Sequence, residues 1–410
     1  MSFEQIIYFF GAGVSKLVNL PTMNELWQCF ENTLEEKEKE EYLKIKSVLE
    51  QEFNKSNIEL FLSLLNDLSD DIPRKRLLKI YSELNFPKEV VIHLRKKTEI
   101  YIRKRLENIN IKNFYMYYPI LTLPSNKEIL KIFTVNYDGL IEIICELNLK
   151  KHSDGFSPFW DPRNFDDKEI QIFKLHGSLF WLRTNSGQYL RIPLKGLNLE
   201  NTQYITDENL SEMIIYPSMN KYKYTEIYSW LHTKFIHELR NSLLCIVFGY
   251  SFGDSDLKEI FVDTLKNNNN FWLIIISPEA KSKKLNLVNE FNLDTENQSR
   301  IIAINQGIDI IAQKIINDKI KSIKYTIQAE KKAWENQITN NSLNDEWNNV
   351  IKSYFELELY ERMRYVLEEL SKPSIILYSS GRLELTYGLE FINFINYYIE
   401  KKDLEKRIYG

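Results

Sequence analysis

Six short apolar runs limit most strongly what this 410-residue chain can become: Gln5–Phe10, Leu130–Val135, Ile170–Leu175, Leu243–Phe248, Phe271–Ile276 and Ile301–Ile304. Each is four to six residues long, rich in Ile, Val, Phe or Leu, and bounded by Gly or polar residues. Near-continuous apolar runs of this length suit strands buried on both faces of a sheet. Helical patterns lie between several of them. Strands alternating with helices predict an α/β fold, a Rossmann-like doubly wound parallel sheet.

Two intervals break the alternation. Residues 32–126 are charged and nearly free of Gly, with apolar spacings of three and four in Ile58–Leu68 and Leu94–Leu106. This predicts an all-helical insertion. Residues 183–216 read as a loop with short strands at Gln188–Ile192 and Glu212–Tyr216. After Ile304 the strand signals stop, and the Tyr-, Glu- and Lys-rich remainder is helical in pattern, with breaks at Pro373 and Gly381. The expected organisation is one α/β domain over 1–318, carrying the insertion, and a C-terminal helical module over 319–410 suited to assembly.

Composition excludes several classes. A formal net charge of -4 gives no basic footprint for direct nucleic-acid binding. Cys29, Cys145 and Cys245 are far apart, with no C-x-x-C pair, so neither a zinc ribbon nor a disulfide framework is expected, and no metal. A metal-dependent nuclease has no carboxylate cluster to support it. No apolar run reaches the ~18–20 residues a membrane span needs. Met1–Glu4 has no basic region and no cleavage pattern, which fits a protein kept in a reducing cytoplasm.

Polar motifs follow the apolar runs, where the carboxyl ends of parallel strands would bind a ligand. Gly11-Ala12-Gly13-Val14-Ser15 stands where the first strand should turn into a helix. Gly at two positions permits a tight turn and close approach to a ligand, and a helix N-terminus with the Ser15 hydroxyl would favour phosphate. The dehydrogenase fingerprint G-x-G-x-x-G is incomplete, because Lys16 fills its last position. Thr134-Val135-Asn136-Tyr137-Asp138 ends the second run; Asn136 and Asp138 can contact a ligand or cap the helix that follows. Lys174-Leu175-His176-Gly177-Ser178 ends the third. Of five histidines, His176 alone stands at a strand end beside Gly, where an imidazole can serve as a general base or as a structural group. Gly249-Tyr250-Ser251-Phe252-Gly253-Asp254 follows the fourth, with Asp254 placed to cap a helix, and Ser277-Pro278-Glu279 follows the fifth.

In order and spacing, these motifs resemble the sirtuin superfamily over roughly residues 1–310: G-A-G-x-S at Gly11, T-x-N-Y-D at Asn136, L-H-G-S at His176 and G-Y-S-F-x-D at Gly249. Ile215-Tyr216-Pro217 with Lys221 and Tyr224 resembles the bacterial sirtuin-like branch. The chain departs from protein-deacetylase sirtuins in lacking their four-cysteine zinc module. It is more similar to the sirtuin-like subunits of bacterial antiphage systems, whose activity is NAD hydrolysis. The resemblance implies NAD as substrate, with its nicotinamide–ribose bond cleaved. It implies catalytic roles for Asn136, His176 and Asp138. Gly11, Ala12, Gly13 and Ser15 would hold the pyrophosphate, Gly249, Ser251 and Ser277 the adenosine side, and Thr134 would also contact the cofactor. It also implies a homo-oligomer and a partner subunit, such as a HerA-type hexameric ATPase. The alternatives carried beside it are an NAD-dependent protein deacylase and a non-enzymatic nucleotide-sensing scaffold.

Overall fold

The computed structural model describes residues 6–53, 57–69, 87–107, 109, 117, 129–184, 186–192, 210–214, 226–308 and 310. One compact unit comprises Met1–Asn110, Ser125–Ile143 and Lys151–Gln306, and contains both sheets. A second takes in Ile111–Pro124, Ile144–Lys150 and Gly307–Gly410. The C-terminal module expected at 319–410, and the motif residues Ile215, Tyr216, Pro217, Lys221 and Tyr224, lie outside the described residues.

The larger sheet has seven strands: β1 (Ile6–Phe10), β2 (Leu130–Thr134), β3 (His152–Ser153), β4 (Ile170–Lys174), β8 (Leu244–Phe248), β9 (Trp272–Ser277) and β10 (Ile301–Asn305). Every pairing in it is parallel, in the order β10-β9-β8-β1-β2-β4-β3. The apolar runs are these strands because each is sealed on both faces: Ile7, Tyr8, Phe9 and Phe10 are at most 2% exposed. One core gathers Ile7, Phe9, Phe133, Phe173 and Val247 with Phe235 and Phe261. Phe133 stacks on Phe173 at 4.6 Å between ring centroids. Helix α5 (Leu140–Leu147) follows β2, and α6 (Ile227–Arg240), α7 (Ser255–Asn267), α8 (Ala280–Phe291) and α9 (Thr295–Ser299) come later in the chain. From β1 the chain adds β2, then the edge strand β3 and β4 between them, and later returns beside β1 to add β8, β9 and β10. The reversal point of this doubly wound order therefore lies between β1 and β8, where such sheets open a ligand crevice.

The helical insertion holds among the described residues, with its start displaced. Helices α1 (Met23–Phe30), α2 (Glu36–Phe53), α3 (Ile58–Ser69) and α4 (Lys88–Glu107) occupy it. It begins before residue 32 because Thr22 and Glu25 form a reciprocal capping box that starts α1. Its core (Leu26, Trp27, Phe30, Tyr42, Leu49, Phe61, Leu65) is continuous with Tyr137, Leu179 and Phe180. Within 183–216 the described residues include two short strands, β6 (Tyr189–Arg191) and β7 (Leu210–Ile214), near the positions expected for them. Strand β5 (Gly177–Thr184), unexpected from sequence, pairs antiparallel with β6 and β7. β5 escapes a pattern reading because both its faces are buried through Leu182, so no alternation marks it.

The helix expected directly after the glycine loop is a 3₁₀ segment, Ala12–Val18, ended by Asn19 in the left-handed region at φ 61°. Its tightness follows from the neighbouring loop. Gly11 N donates to Phe248 O and Gly13 N to Gly249 O, both at 2.9 Å. A Cβ on Gly13 would stand 2.7 Å from Gly249 Cα, and one on Gly249 would stand 2.6 Å from Gly13 Cα. Gly249 also has φ +59°, a conformation costing an L-residue roughly 1–2 kcal/mol. Gly249→Ala should therefore lower stability by more than this strain alone, about 2 kcal/mol or above once the backbone clash is added. Urea unfolding of the full chain measures it, and an unchanged midpoint would mean that the two loops are not in contact.

Candidate functional site

The loops that leave the carboxyl ends of β1, β2, β4 and β8 are joined to one another by hydrogen bonds. Thr134 begins the link. Its hydroxyl donates to Phe10 O at 3.0 Å and accepts from Asn136 N at 3.0 Å, which fixes the chain just before Asn136. Asn136 Nδ2 then donates across to Gly11 O at 3.1 Å and to Ser15 Oγ at 3.2 Å. Ser15 Oγ in turn donates to Asp138 Oδ2 at 2.9 Å. Asp138 Oδ1 accepts from Leu140 N at 3.0 Å, capping α5. The β1 and β2 loops are thus one polar network, in which Ser15 and Asp138 are buried and Asn136 is partly open.

His176 stands in the turn between β4 and β5. Leu175 N donates to Thr134 O at 2.8 Å, and Gly177 takes φ 84°, which makes the turn tight enough to start β5 at once. His176 Nε2 lies 3.1 Å from Asp254 Oδ2, with both side chains buried. Asp254 also caps α7, its Oδ1 accepting from Asp256 N at 3.0 Å and Leu257 N at 3.2 Å. The capping role read from sequence holds, and the contact with His176 adds to it.

The remaining residues fall as follows. Ala12, Gly13 and Gly249 are partly open, and Ser251 is exposed, its Oγ accepting from Gly253 N at 3.3 Å. Ser277 is buried at the end of β9 and accepts from Lys283 Nζ at 3.1 Å. Burial pulls the Lys283 ammonium below its ordinary pKa, against the opposing pull of Glu279. Two features narrow the expected ligand contacts. The N–H groups of Gly11 and Gly13 are already given to the β8 strand and loop, so what these glycines offer a ligand is room rather than donors. The protons of Ser15 and Thr134 are likewise committed within the network.

Sequence reasoning missed the charged layer beneath this edge. Lys174, only 1% exposed, ends β4 and donates to Glu142 Oε1 at 2.7 Å and to the Asp138 carbonyl. Burial pushes the Asp138 carboxyl above its ordinary range, and the nearby Lys174 ammonium only partly offsets it. For Glu142 burial acts the same way but Lys174 wins, leaving it below the ordinary carboxylate value. Asp154 is also buried and raised by desolvation; it accepts from Trp181 Nε1 at 2.8 Å and pairs with Arg191 at 3.3 Å. The available signal was Lys174 itself, a lone cation ending an apolar strand. Among the described residues, no cluster of His, Cys, Asp and Glu has the arrangement of a metal site.

Comparison with known proteins adds a family match over part of the chain. Residues 130–295 match the family model described as a SIR2-like domain. That span contains the Asn136, His176 and Gly249 motifs and excludes the Gly11 loop. A comparison with curated proteins gives no match. Among solved structures, a Sir2 homologue in complex with NAD aligns over 76% of this chain and 87% of its own, at 13% identity and a TM-score of 0.38. A mutant Sir2 homologue in complex with ADP-ribose aligns over 78% and 93%, at 12% identity and a TM-score of 0.37. A Sir2 bound to acetylated peptide aligns over 77% and 93%, at 12% identity and a TM-score of 0.34.

The buried pair gives a pH-dependent prediction. Lys174→Met would leave Glu142 buried without its cation, a loss of about 3–5 kcal/mol at neutral pH. In the wild type, the lowered Glu142 pKa adds stability that is present above the unfolded-state value of about 4.3 and fades as pH falls through the folded one. In the variant, the neutral-pH penalty disappears once acid protonates Glu142 in both states. The stability gap between the two proteins should therefore narrow between about pH 6 and pH 3 in denaturant titrations. A gap constant with pH would exclude Glu142 as its source.

Proposed function

We propose that this chain cleaves the nicotinamide–ribose bond of NAD with water, acting as an NAD glycohydrolase. The observation that carries the reading is the linkage of the motif loops at one carboxyl edge: Asn136 to Gly11 and Ser15, Gly13 to Gly249, and His176 to Asp254. The SIR2-like domain match over 130–295 supports it from sequence.

The chemistry asks little of an acid. Nicotinamide leaves as a neutral molecule from a cationic ring, through an oxocarbenium-like transition state of the kind met in glycoside cleavage. The chain must hold the ribose, place the attacking water and take up its proton. Asn136 is suited to the first two tasks: it is partly open, and its amide is pinned by two bonds to the neighbouring loop. Its carbonyl oxygen remains as an acceptor. His176 is the group at this edge suited to accept the proton. Asp138 is buried behind Ser15, so it acts by holding Ser15 and, through it, Asn136. The pyrophosphate would lie over Ala12 and Gly13, where side chains are absent or minimal. Gly249, Ser251 and the Ser277–Lys283 pair would lie toward the adenosine half. We further propose that the setting is antiphage defence, with activity held in check by oligomerisation or by a partner such as a HerA-type ATPase, as the resemblance of the motifs implies.

The test is nicotinamide release from NAD by the purified full chain. A positioned general base contributes about 10²–10⁴-fold, so His176→Ala should lower kcat by that factor while calorimetric NAD affinity stays close to wild type. Asn136→Ala should also lower kcat more than affinity. Full turnover by His176→Ala would remove the assignment. Release that appears only when an acyl-lysine peptide is added, together with deacylated product, would move the reading to a protein deacylase.

A further inference from the structure

We propose that Asp254 is the positioning residue for His176, holding the imidazole with its proton on Nε2 so that Nδ1 is the proton acceptor at the sheet edge. The catalytic half of this inference rests on the reading of His176 as the base in NAD cleavage; the tautomer half does not.

Three observations carry it. Asp254 Oδ2 is 3.1 Å from His176 Nε2, and an ionised carboxylate only accepts, so the proton of a neutral imidazole belongs on Nε2. Among the described residues Nδ1 makes no hydrogen bond, so its lone pair is not committed to any of them. The carboxylate is also held in place. Its Oδ1 accepts from Asp256 N and Leu257 N at the start of α7, and the preceding Phe252 is buried in the left-handed region at φ 57°.

The place in the fold supports the role. His176 leaves β4 and Asp254 follows β8, and β1 and β2 lie between those strands in the sheet. The His176–Asp254 bond therefore spans the carboxyl ends of the two strands that carry the Gly11 loop and Asn136. A bond needed only to cap α7 would not require the second carboxylate oxygen.

Asp254→Asn separates positioning from structure. Asn caps a helix about as well as Asp, so Oδ1 can keep its two amide bonds. Its Nδ2, however, donates to Nε2 and drives the imidazole proton to Nδ1, which removes the free lone pair. Nitrogen-15 spectra of histidine-labelled full-length protein can read this directly, because the chain has five histidines and His176→Ala identifies the signal. The expected result is an Nε2–H imidazole in the wild type and an Nδ1–H imidazole in Asp254→Asn. The variant should keep the thermal midpoint and the KM for NAD, with kcat lower by about 10²–10⁴-fold. Asp254→Ala should lose thermal stability as well.

A wild-type His176 protonated on Nδ1 overturns the proposal whatever the activity, and so does an Asp254→Asn variant that turns over at the wild-type rate. If neither protein binds or cleaves NAD yet the tautomers are as stated, the NAD-cleavage reading fails and the orienting role of Asp254 stands.

Discussion

The edge that carries the polar motifs depends on a backbone-to-backbone contact between the β1 and β8 loops. Gly13 against Gly249 is closer than any pair of side-chain-bearing residues could come, and the two amide bonds there extend the sheet pairing past the ends of the strands. The contact sits at the reversal point of the strand order, where neighbouring loops would otherwise diverge to opposite faces of the sheet. It fixes the start of the 3₁₀ segment and therefore the position of Ser15. Ser15 holds Asp138, and Asn136 holds Ser15. A glycine loop that sequence alone associates with a ligand is thus first a device for bringing two loops together, and it can approach a ligand only with the surface that remains.

Beneath this contact the protein carries charge at an energetic cost. Lys174, Glu142 and Asp138 are all buried. Isolated, each ionised group would lose several kcal/mol of hydration, and only pairing and hydrogen bonding make their burial tolerable. The Lys174 ammonium meets Glu142 and the Asp138 carbonyl, and so ties the last residue of β4 to the first turn after β2. An apolar trio would fill the same space without that orientation. Directional bonds at the ends of adjacent strands keep Asn136 and His176 in fixed relation, which a site needs more than it needs stability.

Much of the architecture could be read from sequence because burial on both faces leaves a blunt signal. Each of the runs beginning at Ile6, Leu130, Ile170, Leu244, Trp272 and Ile301 became a parallel strand, displaced by a residue or so at its ends. β5 was not legible for the same reason in reverse: Gly177–Leu182 is buried throughout but follows the His176 turn directly, with no punctuation to mark a new element. The 3₁₀ segment was hidden because its cause, the β8 loop, is more than 230 residues away in sequence. At the site, residue types at strand ends pointed to Asn136, Asp138 and His176. Their partners were beyond reach: nothing local says that Ser15 spends its proton on Asp138, or that the second oxygen of a helix-capping Asp254 serves His176.

The insertion packs directly against the loop that carries Asn136 and Asp138. Tyr137, between Asn136 and Asp138, buries its ring in the insertion core and places its hydroxyl 3.0 Å from Glu59 on α3. Its carbonyl accepts from Leu179 N at 3.0 Å, binding the start of β5 to the same residue. One residue thus sends its side chain into the insertion, its carbonyl to the strand after His176, and its neighbours into the polar network. Packed interiors transmit displacement instead of absorbing it. A shift of α3 must therefore be shared by Asn136 and Asp138, or be resisted by the insertion core (Trp27, Phe30, Tyr42 and Phe61) that holds Tyr137 in place.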